Sequence, residues 1–174
     1  VIWITPATVK YYKKGILTKT EEKQNNKNTT EVYTYLENGK PAGIDITTGN
    51  LQFHTSFFYD AQDRCTQEIQ INTKTKKEIY KRTRTFDADG TIQSDSLKYT
   101  DGRLVLSSYN RQGKLIEEKE YNKDVMLSST MHQYDSKGNE IRSQYVLPLP
   151  KNPLPTQISS QTVSYTHLTL PTIR

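Results

Sequence analysis

The sequence predicts an all-β chain, an antiparallel meander of repeated β-hairpins forming a thin open or partly rolled sheet. Three observations predict it. A short phrase recurs: an aromatic, then Asp or Asn, two spacers, a glycine, a spacer and an aliphatic residue. Its full copies start at Phe86, Tyr109 and Tyr134, and its looser copies at Tyr99 and Tyr121. The aromatics of these copies follow one another at intervals of 10 to 13 residues, the regular spacing of turn signals in an all-β array. Period-two alternation is clear in several segments, whereas helical periodicity is nearly absent.

Within the phrase, Asp87, Asn110 and Asp135 stand at the first turn position, where their side chains accept hydrogen bonds from backbone N–H groups further along. Gly90, Gly113 and Gly138 supply the left-handed residue that completes a type I turn with a bulge. The flanking aromatic and aliphatic suit a pleated, half-buried surface. Each phrase is therefore the tip of a hairpin. The full phrase returns at twice the spacing of the aromatics, so one repeat is one hairpin of two strands.

The elements follow in order. Val1-Ile2-Trp3-Ile4 is β-prone, and residues 1–8 read as a leader or the remnant of a truncated N-terminus. Val9–Tyr12 runs into a loose turn at Lys13-Lys14-Gly15. Thr18–Thr30 is wholly polar, and a mobile loop tip is expected at its centre, Gln24–Asn28. Tyr33 and Tyr35 then share a face. Asn38-Gly39 predicts a type I′ hairpin turn, and Pro41 after it belongs at an edge or in the turn. Ile44 and Ile46 alternate up to a turn at Thr48-Gly49-Asn50. Leu51–Tyr59 is the cleanest strand, with Leu51, Phe53, Thr55, Phe57 and Tyr59 on one face. Turns at Asp60–Asp63 and Thr73–Lys76 bracket a strand carrying Gln67, Ile69 and Ile71. In Ile79–Phe86 the side chains of Tyr80, Arg82, Arg84 and Phe86 share a face, which could stack against a sugar or a peptide; a cross-strand ladder is the favoured reading. Beyond it, Leu104 and Leu106 alternate, Leu115 and Tyr121 share a face with Glu117 and Lys119, and Ile141, Ser143 and Tyr145 form the last strand. The hairpin domain is expected over residues 9–146.

Pro148, Pro150, Pro153 and Pro155 give extended polyproline character, so residues 147–162 read as a linker. Val163-Ser164-Tyr165-Thr166-His167-Leu168-Thr169-Leu170-Pro171-Thr172 resembles a translated transposon-type sequencing adapter. Residues 163–174 are therefore expected to be artefactual, the end of a metagenomic fragment, and are set apart from fold reasoning.

Composition limits the core. Only 33% of the 174 residues are hydrophobic with tyrosine included, against the roughly 45–50% apolar content usual in globular domains. A sheet with at most one modest apolar face fits, and the 12 tyrosines suit it because each offers apolar area with a polar tip. The net charge of +5 comes from interspersed charges of both signs, which argues against disorder. No basic cluster joins a recognised nucleic-acid-binding fold, so nucleic acid is not the expected partner; protein or carbohydrate remain. No apolar run is long enough for a membrane-spanning helix.

Tyr134-Asp135-Ser136-Lys137-Gly138-Asn139, echoed by Tyr59-Asp60 and Phe86-Asp87, resembles the tyrosine–aspartate (YD) repeat of RHS-type proteins. The resemblance runs over about residues 59–145 and more loosely over 11–58. It implies β-hairpin repeats of envelope, secreted or toxin-delivery proteins, and it implies no catalytic site.

Candidate chemistry is sparse. His54 and His132 have no nucleophile or ligand motif beside them, and each reads as a cross-strand surface residue. The lone Cys65 follows Arg64 but reads as a half-buried strand residue. Asp87-Ala88-Asp89-Gly90 lacks the distal acidic ligand of a calcium loop, so turn formation explains it better. No metal, cofactor or catalytic residue is expected. The expected function is a non-enzymatic structural or binding module of a bacterial envelope or secreted protein. The alternatives are a fragment of the delivery or encapsulating shell of an RHS-like toxin and, third, a small enzyme.

Overall fold

In a computed structural model, residues 7–24 and 27–148 are described. The leader, apart from its last two residues, nearly all of the Pro-rich linker and the adapter-like tail lie outside them. The described residues contain no helix. They form twelve strands: β1 (Ala7–Lys13), β2 (Ile16–Gln24), β3 (Lys27–Tyr35), β4 (Pro41–Thr48), β5 (Leu51–Tyr59), β6 (Cys65–Asn72), β7 (Glu78–Phe86), β8 (Ile92–Tyr99), β9 (Arg103–Tyr109), β10 (Leu115–Asn122), β11 (Val125–Tyr134) and β12 (Glu140–Val146). Their order in the sheet is their order in the sequence. This is the all-β antiparallel meander that the turn phrase and the alternation predict.

By contacts the chain divides into two units. One holds the residues up to Arg84 together with Leu97–Asp101; the other holds Thr85–Ser96 and the residues from Gly102 onward.

The turns explain the repeat. Five connections from an odd strand to the next even strand have one geometry. In each, the residue at the third place after the first donates its N–H to the first residue's carbonyl: Gly39 to Leu36, Asp63 to Asp60, Gly90 to Asp87, Gly113 to Asn110 and Gly138 to Asp135, at 2.9–3.1 Å. The first residue donates in turn to the carbonyl of the fifth. All five of these fourth residues are left-handed, with φ between 65° and 84°. This is the type I turn closed by a bulge. Asp63 fills the glycine's place at φ 65°, because Asp tolerates the left-handed region better than most side chains. The Tyr59-Asp60 copy thus turns without a glycine.

Three expectations need correction. Asn38-Gly39 does not form a type I′ turn. That turn needs positive φ at both central residues, and here only Gly39 has it, as the fourth residue of the common turn. The type I′ pattern falls instead at Lys14-Gly15 and at Lys123-Asp124, where both residues are left-handed. The loop tip expected at Gln24–Asn28 is narrower than that: β2 continues to Gln24 and β3 starts at Lys27, with Lys19 opposite Val32 and Lys23 opposite Asn28, and the residues between, 25–26, lie outside the described residues. Backbone pairing carries these strands where apolar alternation is missing. Finally, Leu115 does not stand in simple alternation with Glu117, because a bulge puts one extra residue, Ile116, between them. Ala42, Thr66 and Ile141 are the equivalent extra residues after three other turns.

Burial matches the thin sheet. Among the described residues no hydrophobic side chain is buried, and the buried polar ones are Thr55, Asp95, Ser107, Ser128 and Ser129. Thr55 lies in a row across the first unit, opposite Ile44 on β4 and Gln70 on β6, with Tyr80 opposite Gln70 on β7. On the other face Gly43 lets two strands approach closely: a Cβ there would lie 3.0 Å from the Thr55 carbonyl oxygen and 2.9 Å from the His54 ring.

Candidate functional site

The polar residues that the sequence singles out converge on two places: the turn tips and the β6–β7 ladder. At the tips, one carboxylate or amide oxygen organises each turn. Asp135 Oδ1 accepts from the N–H groups of Lys137 at 2.9 Å and Asn139 at 2.8 Å, and Asp135 Oδ2 accepts from Asn139 Nδ2 at 3.0 Å. Asp87 Oδ1 does the same for Asp89 and Thr91, and Asn110 Oδ1 for Gln112 and Lys114. Asp60 Oδ1 holds Gln62 and Arg64, while its Oδ2 meets Arg64 Nε at 2.7 Å. The first turn begins with Leu36, which has no such oxygen. There Asn38 Oδ1 accepts from Lys40 N at 3.2 Å instead.

These bonds favour the charged carboxylate. The Asn139 side chain, then the backbone N–H groups, holds Asp135 below the ordinary aspartate range; the Arg64 backbone N–H, then its guanidinium, does so for Asp60.

The tips are also tied from hairpin to hairpin. Three of the four tyrosines that end odd strands donate their hydroxyl to the carbonyl of a residue opening the preceding even strand. Tyr35 reaches Leu17 O at 2.6 Å, Tyr59 reaches Pro41 O at 2.8 Å, and Tyr134 reaches Leu115 O at 2.8 Å. The lysine after the turn glycine lies over the ring of that same tyrosine: Lys40 Nζ is 5.3 Å from the Tyr59 centroid and Lys114 Nζ 5.6 Å from that of Tyr134. Lys40 Nζ also meets Asp63 Oδ1 at 3.1 Å and donates to Asp63 O at 2.6 Å. The sequence pointed to neither contact. The acceptors are backbone carbonyls, and no residue type marks them.

The second place is the ladder. Tyr80 donates its hydroxyl to Glu68, Arg84 Nη2 reaches Glu68 Oε2 at 3.4 Å, and Arg84 Nη1 lies 3.5 Å from Cys65 Sγ. Tyr80 also packs at 5.9 Å and 59° against the Tyr99 ring. Burial, with the Glu68 hydrogen bond next, pushes the Tyr80 phenol well above its ordinary value. Tyr80, Arg82 and Arg84 are half-buried in the first unit; Phe86 is half-buried in the second.

The second unit has a groove of about 660 Å³ whose lining includes Asn110, Arg111, Ile116, His132, Tyr134 and Ile141. His132 Nδ1 is 3.2 Å from Glu140 Oε1, and in the first unit His54 Nδ1 is 2.7 Å from Asp45 Oδ1. Each histidine thus pairs with a carboxylate on a neighbouring strand. Among the described residues no group of three or more His, Cys, Asp or Glu side chains is placed to hold a metal ion. Nor is any helix among them long and apolar enough to cross a membrane.

No family model matches the chain, and no curated protein does. Among solved structures, the chain is similar to a chain in the crystal structure of TcdB2-TccC3-Cdc42, with 13% identity and a TM-score of 0.46. The match covers 83% of this chain and 9% of that one.

Proposed function

We propose that this chain is a non-enzymatic structural or binding β-repeat module of a bacterial envelope or secreted protein. The observation that carries the reading is the recurrence of one turn geometry at five connections, with the suggestive polar residues taken up inside it. Asp60, Asp87, Asn110 and Asp135 cap turns, and Tyr35, Tyr59 and Tyr134 tie hairpins together. The Tyr80, Arg82, Arg84 and Phe86 row, the candidate binding face for protein or carbohydrate, supports a ladder reading better, since Glu68 already engages Tyr80 and Arg84.

A second reading has its own support. Tyr134-Asp135-Ser136-Lys137-Gly138-Asn139 carries the whole YD-type phrase. On that reading the chain is a piece of the delivery or encapsulating shell of an RHS-like toxin.

Recovering the flanking reading frame from an independent read tests both. A secretion or lipoprotein signal upstream and a stop soon after Pro155 supports the module. Many further copies of the phrase and a distinct C-terminal domain support the shell. Flanks that lack the phrase and complete the sheet with a catalytic motif overturn both.

A further inference from the structure

The chain contains one Asn-Gly pair, Asn38-Gly39, and it lies exposed at the tip of the β3–β4 hairpin. Asn-Gly is the dipeptide most prone to spontaneous deamidation, because glycine has no side chain to obstruct attack by its own amide nitrogen on the neighbouring carboxamide. In this turn both reacting groups are engaged elsewhere. Gly39 N donates to Leu36 O at 2.9 Å. Asn38 Oδ1 accepts from Lys40 N at 3.2 Å, and Asn38 Nδ2 donates to Asp63 Oδ1 at 3.4 Å. The last bond leads to the next hairpin, where Asp63 is also held by Lys40 Nζ.

We propose that Asn38 is a latent deamidation site that the folded turn holds shut and that opening of the β3–β4 tip releases. Once the Gly39 N–H leaves Leu36, the Gly39 nitrogen bonds to Asn38 Cγ and the carboxamide nitrogen departs as ammonia, taking up the amide proton. Water then opens the cyclic imide to aspartate or isoaspartate. No oxidant or cofactor takes part. The product changes the tip in two ways. Either acid adds a negative charge to the tip and removes the amide that donated to Asp63; in aspartate the new carboxylate stands in the amide's place, so two like charges face each other beside Lys40. In isoaspartate the former main-chain carbonyl carbon bears the free carboxylate and the chain runs through the side chain, which adds a backbone atom to a turn whose closure depends on the Gly39-to-Leu36 bond. Modification therefore loosens the tie between two neighbouring hairpins and records that the tip has opened. This goes beyond the repeat-module reading and does not depend on what the module binds.

The test is peptide mass mapping after incubation at mildly alkaline pH, with the protein folded in buffer and unfolded in concentrated urea. The expected result is conversion at Asn38 at least tenfold slower in the folded protein. Asp63→Gly, which keeps the left-handed turn position and removes the carboxylate, should, once checked for its β-sheet circular dichroism, speed conversion several-fold in buffer and leave the urea rate unchanged. Equal rates in buffer and urea for the unmodified chain would overturn the proposal, whatever the variant does. A folded Asp63→Gly variant that converts as slowly as the parent would overturn the role given to the tie between hairpins.

Discussion

At the residue scale, a few side chains set the geometry, and their effects can be separated. Asp135 is held below the ordinary aspartate range, about pH 3.9, in the folded state. A carboxylate with a lowered folded pKa contributes stability that is complete above the unfolded pKa and fades as pH falls through the folded one. Asp135→Asn keeps an acceptor oxygen at the same place, as Asn110 does naturally, but cannot titrate. We predict that urea midpoints measured from pH 6 down to pH 2 fall less steeply for the variant than for the parent. An unchanged acid limb would contradict the role of the Asp135 charge. The tyrosine ties are a separate matter. Tyr134→Phe deletes one hydroxyl bond to Leu115 O and should cost about 1 kcal/mol in urea unfolding. Tyr109→Phe is the control, since Tyr109 makes no such hydroxyl bond among the described residues, and it should change stability by less than about 0.5 kcal/mol.

At the element scale, the hairpin is the unit, and its form was legible to the degree that local chemistry dictates it. The cleanest strand, Leu51–Tyr59, matches its expected bounds because alternation and flanking turns mark both ends. The turns built on Asp87, Asn110 and Asp135 were readable because an acceptor oxygen and a glycine at fixed spacing have few other uses. What escaped was what residue type does not encode. The loop tip in the polar run Thr18–Thr30 was drawn too wide, at Gln24–Asn28, because the usual strand signal is an apolar face, and there the strands are held by backbone pairing and polar contacts such as Thr29 to Thr48. The extra residues Ala42, Thr66, Ile116 and Ile141 share a position, but their types range from alanine and threonine to isoleucine, so side-chain type does not mark them. Asp63 was invisible as a glycine substitute, and Asn38-Gly39 pointed to the wrong turn because the same dipeptide suits both. The demand for a left-handed fourth residue is itself testable. Gly138 has φ 81°, and a Cβ there would lie 3.0 Å from Lys114 Cε. Gly138→Ala should lower stability by about 1–2 kcal/mol, read from the urea midpoint. An effect near zero would mean that the turn tolerates another geometry.

At the scale of the whole molecule, the sheet lacks what usually makes a domain cooperative. No hydrophobic side chain among the described residues is buried, and within each unit the backbone pairings among the described strands run between neighbours in sequence. Such an array is close to one-dimensional, with stability set by each hairpin and its junction to the next. That arrangement suits a module whose job is to extend a surface, and it frames the proposed function. It also explains why the candidate site was only half legible. The sequence suggests a cross-strand ladder for Tyr80 and Arg84 and cross-strand positions for His54 and His132, but only the structure shows that Glu68, Asp45 and Glu140 are the partners beside them. The central claim is that within each unit neighbouring hairpins are held to one another locally, by backbone pairing and by the ties at their tips, and not by a buried apolar core. Native-state hydrogen exchange of the parent and of Tyr134→Phe tests it most directly. The account predicts that protection falls in β9–β12 while β3–β6 keep theirs. A uniform loss of protection across all strands would show a single cooperative unit and contradict it.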